Sequence, residues 1–263
     1  KHNVKVLGPD INYSERSFAV QDDAIRFGLG GIKNVGDNAI DRLIRERNEH
    51  GLYTDIVDFC KRVDNKVVNK RLLESLIRCG AMDGFKENRN QLLHMYESAQ
   101  AVGAKEQKDA AMGTMNLFGD MDEAVDFIPV PNVEDLSEDD KLKDEKEYTG
   151  FYITGHPLQG YAKELEGLFE LGALVENPEQ YDGQTITFGG LIENKSDRMT
   201  KRNEVMSILR IEDYSGAANV VAFPKVFSQS QQFLAVDMIV KVKGRVDADE
   251  KGVQIIADRI TPL

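Results

Sequence analysis

The chain has 263 residues, of which 41% are hydrophobic and 30% charged, and its formal net charge is −12. This length predicts one large or two ordinary domains, with enough apolar side chains to form cores. No apolar run approaches the ~20 residues that a membrane span needs. The two cysteines, Cys60 and Cys79, are typical of a reducing cytoplasm rather than of a disulfide scaffold. No secretory signal opens the chain, and because it begins without Met we expect a piece of a longer protein.

A glycine-rich turn over residues 27–36 precedes an amphipathic helix that ends near residue 51. The central residues of this turn are Gly31, Ile32, Lys33, Asn34, Val35 and Gly36. Glycines let another molecule approach the backbone, and a helix N-terminus directs free N–H groups toward an anion. We expect Asp37 or Asn38 to cap the helix. The pattern is that of a helix-hairpin-helix, which binds nucleic-acid phosphates, although a glycine turn before a helix is more often only structural.

Helical periodicity continues to about residue 110. Short helices are predicted at 53–63 and 69–77, the second with Asn69 as its N-cap, and a further helix contains the apolar positions of 92–99. The last two helices are separated by a second glycine turn at residues 79–84, which contains Gly80. Residues 27–110 are therefore predicted to form an all-α domain of two tandem helix-hairpin-helix units, preceded by extended, irregular chain over 1–26.

An acidic stretch over residues 111–135 is the predicted linker, and it contains a short apolar motif. The motif comprises Thr114, Met115, Asn116, Leu117 and Phe118. An exposed Leu-Phe pair gains nothing from local folding, so either a partner protein binds it or it packs back on the helical domain. A helical connector follows over 136–180 and opens with a capping pair, Ser137 and Asp140. We expect the acidic residues of 120–147 to be solvated.

From residue 184 the hydrophobic period changes to that of β-strands. Five strands are predicted, at 185–192, 205–211, 217–223, 238–246 and 252–260, with a helix or loop over 224–234. Three strands, a helical connection and two strands in about 80 residues is the layout of the five-stranded oligonucleotide-binding (OB) barrel. The predicted fold class is therefore multi-domain α + β, with an all-α N-terminal domain and a C-terminal five-stranded β-barrel over 181–263.

The first connection of the predicted barrel, residues 194–203, is long and basic. In OB-folds this loop and the face of strands two and three are the usual oligonucleotide site. Aromatic side chains can stack on bases, although a Phe in a small barrel is more often part of the core. The second loop, 247–250, is acidic and would repel phosphate. The candidate residues are Phe188, Phe223 and Phe227 for stacking, and Lys195, Arg198, Lys201, Arg202, Lys225, Lys241, Lys243 and Arg245 for phosphate contacts.

The sequence indicates no catalytic or metal-binding group. Asp120 and Asp122 have the spacing of paired carboxylates, as do Asp247 and Asp249, but these pairs lie in an acidic loop and a hairpin turn. The four histidines are far apart, and none has a Cys or His at ligand spacing, which argues against zinc. A nucleophilic triad, a P-loop and a dinucleotide fingerprint are absent. We therefore predict no catalytic residue and no metal or other cofactor.

Four motifs together resemble one family, the α subunits of bacterial DNA polymerase III, which are C-family replicative polymerases. Residues 8–14 are similar to the run that leaves that family's fingers, and 25–36 to the start of its helix-hairpin-helix. Residues 76–83 resemble the second hairpin, and 150–158 the signature that precedes the OB barrel. The resemblance covers essentially the whole chain. It implies the C-terminal, DNA-binding part of a cytoplasmic replicative polymerase, in which residues 1–26 end the fingers region.

The resemblance also implies partners. The family's clamp-binding peptide is Gln-x-x-Leu-Phe-like, and residues 114–118 fall at its position, so the resemblance favours binding to the β sliding clamp. Thr114 stands in place of the usual Gln, which weakens the polar anchor and leaves Met115, Leu117 and Phe118 to fill the clamp pocket. The family's catalytic aspartates lie upstream in a palm domain, so Mg²⁺-dependent DNA synthesis would belong to the parent protein and not to this piece. The hairpins would hold double-stranded DNA and the barrel single-stranded template. Clamp-loader and other replisome subunits are further expected partners.

Two other functions stay open at this point. The net charge of −12 favours a protein-interaction module of the replisome with little DNA binding of its own. A nuclease or other enzyme in its own right would need an Mg²⁺-dependent turnover that tracks Asp120 or Asp247.

Overall fold

The structure, a computed structural model, describes residues 5–111, 128–249 and 252–263. The chain divides into two compact units, Lys1–His156 and Pro157–Leu263. The division falls inside the region predicted as a helical connector, so the helix that follows residue 137 belongs to the first unit. Within the described ranges, no helix combines the length and the apolar character needed to cross a membrane.

The first unit is mainly helical, and its core lies between the helices. Phe27 and Phe59 are among the largest fully buried side chains of this core. The helices are α1 (Asp37–His50), α2 (Ile56–Arg62), α3 (Lys70–Arg78), α4 (Arg89–Ala111) and α5 (Glu138–Thr149). Two predicted caps are confirmed: the Asn69 side chain accepts a backbone N–H at the start of α3, and the Ser137 hydroxyl accepts the Asp140 N–H at the start of α5.

Helix α4 extends beyond its predicted apolar positions because its polar C-terminal half packs against α2. The side-chain amide of Gln107 donates hydrogen bonds to the carbonyls of Cys60, Lys61 and Val63, at the C-terminus of α2. These carbonyls have no partner within α2, so Gln107 caps that helix. Gly103 permits the close approach, since a Cβ there would collide with the Cys60 carbonyl.

The described part of residues 1–26 forms a small sheet rather than the irregular chain that was predicted. Its strands are β1 (Lys5–Leu7), β2 (Ala19–Gln21) and β3 (Ala24–Arg26), in the order β1-β3-β2. Strand β1 is parallel to β3 and β2 is antiparallel to it. Three-residue strands carry too little alternation to be recognised from hydrophobic pattern. The sheet leads directly into the first glycine turn.

Helix α5 packs on the other helices of the first unit through two of its carboxylates. Arg78 pairs with Asp144 at 3.0 Å, and Arg89 pairs with Glu145 at 3.1 Å. The Glu145 side chain has no exposed surface. The prediction that the acidic residues of 120–147 are solvated is therefore wrong for Asp144 and Glu145, whereas the other acidic residues of the described part, 128–147, are exposed.

The second unit is a closed five-stranded barrel with short helices before and within it. The helices are α6 (Ala162–Leu165), α7 (Leu171–Glu176) and α8 (Pro224–Ser230), and the strands are β4 (Thr185–Met199), β5 (Val205–Glu212), β6 (Ala217–Ala222), β7 (Ile239–Asp249) and β8 (Gly252–Pro262). The order around the barrel is β4-β5-β6-β8-β7, with β6 and β8 parallel and the other neighbours antiparallel. The five predicted strands and the barrel are confirmed.

Strand β4 is longer than predicted, and this changes the shape of the basic connection. It continues past an irregularity between Ile192 and Asn194 and stays paired with β5 as far as Met199. Residues 194–199, predicted as loop, are thus one arm of an extended β-hairpin, and the connecting loop is 200–204. Because neither face of this arm covers a core, its sequence lacks the alternation that identifies a strand.

Candidate nucleic-acid interface

The first glycine turn is anchored on one side and exposed on the other. Ile32 and Val35 are buried in the core of the first unit, whereas Lys33, Asn34 and Gly36 are exposed. Asn34 has a φ of 66°, in the left-handed region that Asn tolerates better than most non-glycine residues. Its side-chain amide donates to a serine hydroxyl on α3 at 3.1 Å. This contact fixes the turn in a single conformation.

Residues of helix α5 contact part of this turn. The Lys33 N–H donates to the Tyr148 carbonyl at 2.8 Å, and the Lys33 ammonium lies 3.2 Å from the Glu147 carboxylate. Gly31 serves packing, since a Cβ there would lie 2.7 Å from the Phe27 ring. Both groups of Lys33 that could bind a phosphate are therefore engaged within the unit, although the side chain is 55% exposed.

The N-terminus of α1 is the open part of the first turn. Its N-cap is Gly36, so neither Asp37 nor Asn38 caps the helix as predicted. Among the described residues, none accepts a hydrogen bond from the backbone N–H groups of these three positions. Arg16 lies beside this end, 3.2 Å from the Asp37 carboxylate, and also pairs with Asp41. Free N–H groups at a helix start suit an anion, but the Asp37 carboxylate opposes one.

The second glycine turn is closed by its own hydrogen bonds. Gly80 has a φ of 82°, and its N–H donates to the Ile77 carbonyl. The Ala81 N–H donates to the Leu76 carbonyl, which completes a Schellman motif at the end of α3. A Cβ on Gly80 would also collide with the Arg89 guanidinium. Gly80 is required for these structural reasons, and its N–H is not free for the phosphate contact that was predicted.

A buried ion pair links the second turn to α5. The Arg89 guanidinium is 4% exposed and binds both carboxylate oxygens of Asp83 as well as Glu145. Burial alone would lower the pKa of Arg89, but hydrogen bonds and charge from Asp83 and Glu145 outweigh burial and raise it. Glu145 also accepts two backbone N–H groups from the 150–158 segment. This cluster holds α5 and the following segment in place, and the sequence pattern did not reveal it.

Two of the three aromatic candidates lie in the barrel core. Phe188 has no exposed surface and Phe227 is 8% exposed, so the prediction that Phe188 stacks on a base is wrong. Strand alternation gives the reason, because Phe188 lies on the inward face of β4. Phe223 follows β6 and is 45% exposed. Val220 and Ala222 have no exposed surface and belong to the barrel core, so alternation places Phe223 on the outward side at this end of the strand.

The four cations of the extended hairpin do not lie together. Lys195 is 3.2 Å from the Asp197 carboxylate, and its ammonium lies 5.6 Å from the centre of the Phe227 ring. It therefore faces α8 rather than solvent beyond the hairpin. The other three cations, which we name the hairpin tip, are Arg198, Lys201 and Arg202. All three are exposed, and in the part of the chain that the structure describes none has an ion-pair partner.

The outward face of β5 and β6 has an apolar centre. Ile208 pairs with Val221, and Val221 pairs with Ile256 on β8, so these three residues form one row across three strands. Arg210 lies on the same outward side and is 3.7 Å from the Glu193 carboxylate. The face that OB-folds commonly use is therefore apolar at its centre, where Ile208 and Ile256 are half-buried and Val221 is buried, and its arginine already has a partner.

The remaining predicted cations lie elsewhere on the barrel. Lys225 is exposed in the first turn of α8. Lys243 and Arg245 lie on the outward face of β7, which pairs with the first half of β4, whereas β5 pairs with the second half. Lys241 shares that face, and Arg259, which the sequence reasoning missed, is paired with Lys243 across β7 and β8. The irregularity at Asp258 interrupts the alternation of β8 just before Arg259, so only the pairing of β7 with β8 identifies it.

The predicted clamp-binding motif lies outside the described residues, and it stays a prediction. The motif consists of Thr114, Met115, Asn116, Leu117 and Phe118. The described chain resumes at Ile128, and Ile128 and Val130 line a cavity of about 550 Å³ together with residues of α2.

No metal or nucleophile site is apparent in the residues that the structure covers. They include no group of three or more His, Cys, Asp and Glu side chains arranged to hold a metal ion. Cys60 and Cys79 are buried, and burial raises the pKa of each thiol to about 12, so both stay protonated at neutral pH.

Two protein families match the two structural units. Residues 3–92 match the family described as a helix-hairpin-helix motif. Residues 186–263 match the family described as an OB-fold nucleic acid binding domain. The first match contains both glycine turns, and the second coincides with the barrel. Among solved structures, a small single-stranded DNA-binding protein from Streptomyces coelicolor aligns with 31% of this chain and 95% of its own, at 17% identity and a TM-score of 0.28.

Full-length relatives are similar to nearly the whole chain. The DNA polymerase III subunit alpha of Borreliella burgdorferi is 33% identical over 264 residues, which cover 99% of this chain and 23% of the relative. The subunit of Pseudomonas aeruginosa is 34% identical, with 99% and 24% covered, and that of Escherichia coli is 34% identical, with 94% and 22% covered. The chain thus spans about a quarter of the length of these relatives. The resemblance inferred from the sequence is confirmed: the chain matches, over 99% of its length, a segment of the DNA polymerase III α subunits that joins a helix-hairpin-helix region to an OB-fold barrel.

Proposed function

We propose that this chain is a non-catalytic nucleic-acid-binding part of a replicative DNA polymerase α subunit, and that its barrel binds single-stranded DNA. The observation that carries the proposal is the hairpin tip, three exposed cations without a described partner in a chain whose net charge is −12. Lysine and arginine side chains that contact phosphates supply most of the affinity of non-specific binding. The description of the matching family as a nucleic acid binding domain supports the same assignment.

The bases would contact the apolar surface beside the hairpin tip. Phe223 is exposed at the end of β6, and Ile208 lies half-buried on the outward side of β5. A base stacked on an aromatic side chain is worth ~1–3 kcal/mol regardless of its identity. Phosphate contacts at the tip and stacking on Phe223 together give the sequence-independent binding that a template strand requires.

The helix-hairpin-helix unit would hold double-stranded DNA through the N-terminus of α1. The support is the open set of N–H groups at Gly36, Asp37 and Asn38 and the match to the helix-hairpin-helix family. Lys33 and Gly80 contribute to the fold in this proposal, because their polar groups are engaged within the unit. The unit therefore binds DNA more weakly than a fully open pair of hairpins would.

The remaining activities belong to the parent protein or its partners. DNA synthesis with Mg²⁺ would take place in the rest of the α subunit, and this chain alone would incorporate no nucleotide. Residues 114–118 would attach it to the β sliding clamp, and clamp-loader and other replisome subunits are further candidates. Replacing both Leu117 and Phe118 by Ala should abolish clamp association in a pull-down while the affinity for DNA is unchanged. Retained clamp binding in that variant would assign the contact to another segment.

Titration with a fluorescent oligonucleotide of about 24 nucleotides tests the barrel. The hairpin-tip variant, Arg198→Ala with Lys201→Ala and Arg202→Ala, should lose about tenfold or more in affinity at low salt. The slope of the logarithm of its binding constant against the logarithm of the salt concentration should become less steep by about 2. Each phosphate contact on a single strand contributes ~0.7 to that slope, and three contacts are lost. The matched control removes the same charge from exposed lysines of the first unit: Lys66, Lys105 and Lys108.

A protein-interaction module is the second candidate, and the net charge of −12 favours it. It predicts weak DNA binding that the hairpin-tip variant and the matched control reduce equally. That result would refute DNA binding by the barrel and leave the half-buried Ile208 and Ile256 as an apolar contact surface for protein.

A further inference from the structure

The outward face of β7 carries a row of cations that we name the β7 stripe: Lys241, Lys243 and Arg245. They alternate with Val240 and Val242, which have no exposed surface and fill the barrel core. Lys243 and Arg245 are exposed and Lys241 is half-buried. Alternation thus places all three on one surface, separate from the outward face of β5 and β6.

Arg259 adds a fourth cation directly opposite the stripe. It is exposed on β8 and is the cross-strand partner of Lys243. Like charges on directly opposed residues destabilise a sheet, so this pair works against folding. Within the described ranges, no carboxylate forms an ion pair with any of the four cations. A bound polyanion would relieve the repulsion.

Two ordinary reasons for lysines on a strand do not apply here. Lysines commonly protect a free sheet edge from aggregation, but β7 is paired with β4 on one side and β8 on the other in a closed barrel. Surface charge also improves solubility when it increases the net charge of a protein. In a chain of net charge −12, four added cations do the opposite. Binding of an anionic ligand therefore explains the stripe better than edge protection or solubility does.

The spacing of the stripe suits a nucleic-acid backbone. Alternate residues of a strand are ~6.7 Å apart. Three cations in a straight row at this spacing can each contact a separate phosphate of an extended single strand. Asp258 lies in the β8 irregularity beside Arg259 and is the exposed carboxylate that opposes such binding at this place.

We propose that the β7 stripe and Arg259 bind the phosphate backbone of a single DNA strand, on a surface distinct from the usual OB site. This inference rests on the proposed function and extends it, because the strand held at the hairpin tip continues onto β7. The register partner of Lys243 on β4 is Thr187, and Arg198 lies roughly 36 Å of extended chain further along that strand at ~3.3 Å per residue. A strand that reaches both surfaces must therefore be long.

The test compares three variants of the whole chain with the wild type, using single-stranded oligo(dT) of about 24 nucleotides. The stripe variant is Lys243→Thr, Arg245→Thr and Arg259→Thr, since threonine is favourable in strands. Its affinity should fall about tenfold or more at low salt, and its salt slope should fall by about 2, as three phosphate contacts are lost. The matched control, Lys66→Ala with Lys105→Ala and Lys108→Ala, should change affinity less than twofold. Asp258→Asn should increase affinity about twofold.

The outcomes separate this inference from the proposed function. If the stripe variant binds like the wild type while the hairpin-tip variant loses affinity, the inference is refuted and the proposed function stands. If the wild type binds no single strand, both are refuted. A stripe variant that keeps its DNA affinity but loses binding to polyglutamate would assign the surface to an acidic protein and also refute the inference. An unchanged circular dichroism spectrum and a melting temperature no lower than that of the wild type show that each variant is folded.

Discussion

The helical unit and the barrel use charged side chains in opposite ways. In the helical unit, Arg89 and Arg78 face carboxylates of α5, and the Glu145 carboxylate is fully buried. In the barrel, the cations of the hairpin tip and the β7 stripe point outward and have no described ion-pair partner. The same residue types thus stabilise one unit and remain available to a ligand in the other.

The difference follows from how each element is held in place. Helix α5 has few apolar residues, of which Leu142 is buried, so its docking depends on ion pairs and hydrogen bonds. Every strand of the barrel contributes apolar side chains to a closed core, and the outward faces are not needed for folding. Charge is free for function where apolar packing already specifies the structure.

The largest effect that would test this comparison is expected at Arg89. Replacing Arg89 by Met leaves the buried Glu145 carboxylate without its cation, and should lower the free energy of unfolding of the helical unit by about 3–5 kcal/mol. Urea denaturation followed by circular dichroism at 222 nm measures the loss, because the chain has no tryptophan to report it by fluorescence.

The matched control for Arg89→Met is the double variant with Glu145→Gln. It removes the charge that the single variant leaves unpaired, and should recover much of the lost stability. If the double variant were no more stable than the single one, the pair would not be the reason that α5 is docked.

On the barrel, the next largest effect is expected at Phe223. Replacing Phe223 by Ala should weaken binding of single-stranded DNA roughly 5- to 150-fold, the equivalent of ~1–3 kcal/mol for one stacked base. Phe223→Trp retains an aromatic face and should retain affinity. Equal affinity of the Ala and Trp variants in an anisotropy titration would show that no base stacks there. Neither change should alter stability much, since the Phe223 side chain is 45% exposed.

The features that the sequence predicted correctly are those set by neighbouring residues. Asn69 and Ser137 each cap a helix through a hydrogen bond to the backbone N–H three residues on, and the five strands follow from alternation within each strand. The sequence did not predict the docking of α5, because Arg89 and Glu145 are remote in the chain and an acidic helix has the pattern of a solvated one. Phe188 was misassigned although the alternation of Thr185, Ile186, Thr187 and Phe188 places it with Ile186 on the inward face of β4.

The candidate cations were found by residue type, but their grouping needed the fold. Lys195 and Arg198 are close in sequence, yet they lie on opposite sides of the hairpin, and only Arg198 is without a described ion pair. Arg259 joins Lys243 only through the pairing of β7 with β8. Contacts that depend on sheet register are not encoded in local spacing, which explains these misses.

Acidification should lower the free energy of unfolding of the helical unit by a smaller amount than the Arg89 substitution does. Burial would raise the pKa of Asp135, but a hydrogen bond and charge from Lys141, 2.7 Å away, outweigh burial and lower it. Its stabilising contribution is therefore present above the unfolded pKa near 4 and is lost as the pH falls through the lower folded value. Because the pair is partly exposed, we expect about 0.2–1 kcal/mol. Asp135→Asn should remove this part of the pH dependence in urea titrations between pH 2 and 6.

The smallest effect is expected at Lys33, an exposed cation of the helical unit that is paired with a carboxylate. This lysine is exposed at the first turn, but Glu147 neutralises it at 3.2 Å, as in the rest of the helical unit. Glu147→Gln should free the ammonium for a phosphate and increase the affinity for double-stranded DNA about two- to fivefold at low salt, an effect that disappears at high salt. Stability should change by less than ~1 kcal/mol, since the pair is exposed. The double variant with Lys33→Ala should lose the gain. If Glu147→Gln alone leaves duplex affinity unchanged, the first turn does not contact DNA through Lys33, and the N-terminus of α1 would have to bind the phosphate through its backbone alone.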